Sequence, residues 1–65
     1  MVKNFNRIRE YRVKKGWSVK QLAAAMGYTE AYIRQIESFK RGMSLSTAKQ
    51  FSVVLGKSLN TLFMS

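Results

Sequence analysis

The stretch Leu22-Ala23-x-x-Met26-Gly27-Tyr28-Thr29-x-x-x-Ile33-x-x-Ile36-Glu37 leaves this chain little choice of fold. Apolar residues spaced by three and four stand on both sides of Gly27, so two short helices meet at one sharp turn. Ala23 is small enough for those helices to cross closely at a steep angle. Gly27 supplies the turn because glycine enters the left-handed region without steric cost. Tyr28 plugs the corner, and Thr29 is a good N-cap for the helix that follows. Ile33 and Ile36 anchor that helix on a core, which leaves its opposite side outward. At about 100° per residue, the outward side carries Ala31, Arg34, Gln35 and Ser38, with Glu30 at its edge.

The same punctuation runs through the rest of the chain. Phe5, Ile8, Tyr11, Arg12 and Lys15 recur at helical spacing and predict a first helix over roughly 4–15, closed by Gly16. Ser18-Val19-Lys20-Gln21 is a Ser-x-x-Gln capping box that opens the second helix, whose inner stripe is Leu22, Ala23 and Met26. Phe39-Lys40-Arg41-Gly42-Met43 reads as a loop. Ser44 or Ser46 caps a fourth helix with Leu45, Ala48, Phe51, Val54 and Leu55 inward, ended by Gly56. Ser58 caps a short fifth helix carrying Leu59, Leu62 and Phe63. With no proline, no repeat and no segment alternating with period two, the fold class is all-α, a compact bundle of five short helices.

A 65-residue chain is expected to form one domain over 1–65. Small folds are often stapled by disulfides or zinc. This one has neither cysteine nor histidine, so tight helix packing, helped by dimerisation, must serve instead. No cofactor, metal or small-molecule ligand is expected. The longest apolar runs, Leu22–Met26 and Val53–Leu55, fall far short of the ~20 residues of a membrane span. The opening Met1-Val2-Lys3-Asn4 lacks the apolar stretch of a signal peptide. The expected setting is therefore the cytoplasm.

Charge narrows the partner. Twelve lysines and arginines face three acidic residues, for a formal net charge of +9. Such a balance implies a polyanion, nucleic acid before an anionic membrane. Catalysis is excluded on composition, because no nucleophile–base pair or metal cluster can be assembled from three carboxylates without His or Cys.

Four motifs in order, Ile8-x-x-Tyr11-Arg12, Gly16-Trp17-Ser18, the turn motif and Leu55-Gly56-x-Ser58-Leu59-x-x-Leu62, resemble the Cro/phage-repressor (XRE) type of helix-turn-helix family. The resemblance spans Ile8 to Leu62. It implies a lambda-repressor-like domain whose helix-turn-helix covers about 18–38, with the second of its helices in the major groove. It also implies a homodimer on a palindromic operator. Thr29, Glu30, Ala31 and Gln35 match base-facing positions, and Arg34 lies beside them. Ser18 and Lys20 match the backbone-contacting start of the second helix, and Lys40 and Arg41 the basic loop after the third. Arg12 and Glu37 match a salt bridge that ties the first helix to the third.

Three positions depart from the family pattern. Val19 stands where a phosphate-contacting Gln is favoured, so that contact is lost or passes to Lys20. Ser38-Phe39 replaces a polar-Gly pair, and Met43 replaces a Pro. Several residues also keep a plainer reading. Gln35 either bonds bidentate to adenine or is a solvated helix residue; Glu30 either accepts from cytosine N4 or favours the helix dipole. Arg34 is placed with the base-contacting residues, reading guanine, with a grip on phosphate as its alternative. Tyr32 is assigned to the core edge and Trp17 to the core. Lys3, Arg7, Arg9, Lys14 and Lys15 form a DNA-facing patch in part, while Lys49 and Lys57 face solvent. Phe39, Met43, Phe63 and Met64 are the apolar residues least explained by a monomer core: a dimer interface, or core edge and frayed terminus.

The sequence thus favours a DNA-binding transcription regulator, a Cro-type repressor working at the nucleoid. Two other classes stay open: a protein-interaction module, such as an antitoxin or conjugation accessory factor, and a cationic membrane-active peptide. The capped helices and tight turn speak against the last, which is usually one long amphipathic helix.

Overall fold

A computed structural model describes residues 5–64. Five helices follow one another without a strand among the described residues: α1 (Ile8–Lys14), α2 (Val19–Met26), α3 (Glu30–Glu37), α4 (Leu45–Leu55) and α5 (Leu59–Phe63). Four of the five begin at a serine or threonine whose hydroxyl accepts from the backbone N–H three residues on: Ser18, Thr29, Ser44 and Ser58. Each hydroxyl satisfies a donor that the helix start would otherwise leave unpaired. At α2 the box is reciprocal, with the Ser18 N–H donating back to Gln21 Oε1 at 2.8 Å. Between Ser44 and Ser46, the structure selects Ser44.

The helices wrap one core built from Ile8, Leu22, Ala23, Met26, Ile33, Ile36, Ala48, Phe51, Leu55 and Leu62, joined by Met43. Tyr11, Trp17, Tyr28 and Tyr32 pack around its edge. Burying a large aliphatic or aromatic side chain contributes roughly 1.5–3 kcal/mol. Fully buried Ile8, Leu22, Ile33, Ile36, Phe51 and Leu62 therefore dominate the favourable terms.

Several sequence expectations need correction. The first helix starts at Ile8, not near residue 4; residues 1–4, with Lys3, lie outside the described part. Phe5 is off the helix and partly exposed. The reason is non-local. Asn6 is buried, donates through Nδ2 to the Ile36 carbonyl at 2.9 Å, and accepts from the Ile8 N–H through Oδ1 at 3.0 Å. Arg7 N–H donates to the Leu62 carbonyl at 2.8 Å. These bonds hold the segment against α3 and α5 before α1 begins. Met43 is not at the surface but only 6% exposed, because the loop after α3 turns it inward where it joins the core. Leu45, expected inward, is 53% exposed at the first position of α4.

Candidate nucleic-acid interface

The turn between α2 and α3 is made as its residues require. Gly27 caps α2 at φ 77°, ψ 27°, and its N–H donates to the Ala23 and Ala24 carbonyls. Ala23 is 3% exposed and belongs to the core. The Tyr28 ring lies 4.7 Å from that of Tyr32, stiffening the corner from outside. Its hydroxyl donates to Gln50 Oε1 at 2.9 Å, and Gln50 Nε2 donates to the Met26 carbonyl at 3.1 Å. One α4 side chain thus clasps both sides of the turn. Sequence reasoning missed it, since Gln50 looks like any polar residue on a helix surface.

With Ile33 and Ile36 fully buried, α3 turns its other side to solvent. Thr29, Ala31, Arg34 and Gln35 are exposed and Glu30 is half-buried. Thr29 Oγ1 is engaged as the helix cap, accepting from Tyr32 N–H at 3.1 Å. Arg34 Nη2 approaches Glu30 Oε1 at 3.6 Å across one turn. The row is polar, free of large apolar groups and supplied with donors and acceptors, which base edges in a groove require.

Cations stand beside this row. Lys20 is exposed at the start of α2, and Lys40 and Arg41 are exposed in the loop after α3. Arg41 is the more constrained of these two. Its guanidinium lies 4.8 Å from the Tyr32 ring centroid and donates through Nη1 to Gln35 Oε1 at 3.2 Å. The loop cation and the helix glutamine are therefore one hydrogen-bonded unit. The loop departs from α3 through Phe39, at φ 63° the one non-glycine residue with positive φ among the described residues. The resemblance favours glycine at that place; here a phenylalanine takes the left-handed turn and packs against Phe5, ring centroids 5.6 Å apart.

The orientation of α3 is fixed from behind. Arg12 Nε donates to Glu37 Oε2 at 2.6 Å and Nη2 donates to Oε1 at 3.1 Å. Nη1 donates to the Trp17 carbonyl at 2.7 Å, so one guanidinium joins α1, the turn before α2 and the end of α3. Glu10, by contrast, is an exposed partner of Lys14 at 3.2 Å. No group of three or more acidic or metal-binding residues comes together among the described residues.

Comparison with known proteins agrees with this geometry. The profile of the helix-turn-helix family matches residues 8–62, and the chain belongs to that family, in its XRE-type form. Among solved structures it is similar to a hypothetical transcription factor, NHTF, from Neisseria. There the TM-score is 0.82 and the identity 29%, over 89% of this chain and 67% of that one. It is similar also to the restriction-modification controller protein C.AhdI from Aeromonas hydrophila. That match has a TM-score of 0.82 and 32% identity, over 95% of this chain and 94% of the other. No curated protein sequence matches it. Family and neighbours together make the chain a DNA-binding transcriptional regulator.

Proposed function

We propose that the protein is a Cro-type repressor that binds a palindromic operator as a homodimer, with α3 of each copy in the major groove. The observation that carries this reading is the exposed polar row of α3, held rigidly from behind by Arg12 and bordered by Lys20, Lys40 and Arg41. Thr29, Glu30, Ala31 and Gln35 face base edges, with Arg34 at the border of the row. Ser18, Lys20, Lys40 and Arg41 contact phosphates. Repression is steric: the dimer occupies promoter DNA, in the cytoplasm, without chemistry of its own.

The likeness to a restriction-modification controller along nearly the whole of both chains supports a regulatory role. The dimer surface lies near α4 and α5, where Phe63 is half-buried and Met64 exposed; Leu45 and Val53 of α4 are exposed as well. Burial of Met43 removes it from that surface, whereas Phe39, exposed despite its ring contact with Phe5, stays available to it. Among the described residues no helix is long and apolar enough to cross a membrane.

Selection of bound duplexes from a random-sequence library tests the reading. The expected product is an inverted repeat whose half-site centres lie one helical turn apart, roughly 10–10.5 base pairs, or a multiple of it. Enrichment of single, unpaired half-sites would remove the dimer, and no enrichment at all would remove sequence-specific recognition.

A further inference from the structure

We propose that the cleft between α1 and α3 seats one phosphate of the DNA backbone, with Arg9 and Arg34 as its two charged jaws. The inference rests on the DNA-binding reading and adds to it a site whose α1 half lies outside the helix-turn-helix. The cleft has a volume of about 270 Å³ and is lined by Arg9, Arg12, Val19, Arg34, Glu37 and Ser38.

Its construction follows from helical spacing. Arg9 stands one turn before Arg12 on α1, and Arg34 one turn before Glu37 on α3, so each pair shares a helix face. The Arg12–Glu37 bridge forms the floor, with side chains only 11% and 8% exposed. Arg9 and Arg34, both exposed, stand at the mouth.

Charge then decides what the cleft takes. The floor is neutral, because Arg12 and Glu37 cancel, and Arg12 spends its nitrogens on Glu37 and the Trp17 carbonyl. Arg9 forms no ion pair among the described residues. Arg34 has only its 3.6 Å approach to Glu30, with the Arg34 side chain largely in solvent and that of Glu30 half-buried. An exposed pair of this kind holds weakly, so an incoming phosphate displaces Glu30 readily. Two guanidiniums with no committed carboxylate at an open mouth suit a phosphate oxygen, which accepts charge-assisted, forked hydrogen bonds. Val19 adds an apolar wall and no competing acceptor. The phosphate contact that a side chain at position 19 cannot make is thereby supplied from α1 and α3, and Arg34 is assigned to the backbone rather than to a base.

The test is equilibrium binding of the full chain to a selected duplex and its single-base-pair variants, between about 50 and about 200 mM salt. Arg9→Ala and Arg34→Ala are expected to weaken every duplex by the same several-fold factor. Losing both jaws takes one neutralised phosphate from each copy, so the double variant should make the slope of log K against log salt shallower by about 0.9 per bound copy, and each single variant by part of that. Arg9→Lys, which keeps the charge, retains the wild-type slope. Unchanged thermal midpoints of these surface variants confirm that the fold is intact. A wild-type slope in Arg9→Ala, or an Arg34→Ala variant that loses preference at one base pair while keeping the slope, would overturn the proposal. A wild-type chain that binds while both variants match it sinks the cleft alone. A wild-type chain that binds no duplex at about 50 mM salt removes the DNA-binding reading together with it.

Discussion

Arg12 and Glu37, 25 residues apart in sequence, are joined by two hydrogen bonds of 2.6 and 3.1 Å in a nearly dry setting between α1 and α3. The bridge sits directly behind the exposed row of the recognition helix. It gives α3 a second attachment to the body of the fold, in addition to the packing of Ile33 and Ile36. The bridge thereby helps set which side chains of α3 face outward.

Breaking that bridge from one side strands a charge in the interior. Glu37→Ala is expected to destabilise the fold by about 3 kcal/mol, toward the lower end for buried pairs because the stranded Arg12 guanidinium keeps its bond to the Trp17 carbonyl. For a domain of this size the thermal midpoint falls by more than about 10 °C. Replacing both partners together, Arg12→Met with Glu37→Leu, should recover most of the loss. Thermal unfolding of the three proteins checks this; equal destabilisation by the single and double variants would show that packing, not charge, is at stake.

Phe39 carries a backbone conformation that suits glycine. In an ordinary helix or loop, alanine is at least as stable as glycine. At φ 63° the order should reverse, with Phe39→Gly more stable than Phe39→Ala by about 1 kcal/mol. Both variants lose the same ring contact with Phe5, so the comparison isolates the backbone. Denaturant unfolding reads the difference, and the usual order would mean that the loop relaxes to another turn.

Gln50 ties α4 to the helix-turn-helix corner through Tyr28 and the Met26 carbonyl. Gln50→Ala removes both bonds and should cost about 1–2 kcal/mol, since each is partly solvated. Tyr28→Phe removes only one and should cost about half as much. If the two variants were equally stable, the bond to the Met26 carbonyl would be contributing nothing.

Most of the fold was legible because it is written locally. Ser18, Thr29, Ser44 or Ser46 and Ser58 announce helix starts, Gly27 and Gly56 announce stops, and the three-and-four spacing of Leu22, Met26, Ile33 and Ile36 names the inner faces. What escaped depends on distant partners. Nothing near Asn6 shows that its amide will bond the Ile36 carbonyl and delay α1, and nothing near Met43 shows a cavity waiting for it. Leu45 looks inward by period, yet the first turn of α4 projects beyond the core. At the interface, the outward set on α3 follows from helical phase alone. The coupling of Arg41 to Gln35 does not, because a loop conformation places it. Arg9 left a faint signal, its shared face with Arg12, but only the cleft gives that face a use.

The central claim is that α3 reads base edges in the major groove, and purine N7 offers its most direct probe because it is exposed only there. Binding is measured to the selected operator with each purine replaced in turn by its 7-deaza analogue, for the wild-type chain and for Gln35→Ala. Major-groove reading by α3 should make at least one substitution per half-site weaken wild-type binding, by at most the roughly 1–3 kcal/mol of a bidentate contact. At the base pair read by Gln35, the variant should show no further loss. Binding that is indifferent to every 7-deaza substitution would contradict major-groove reading by this helix.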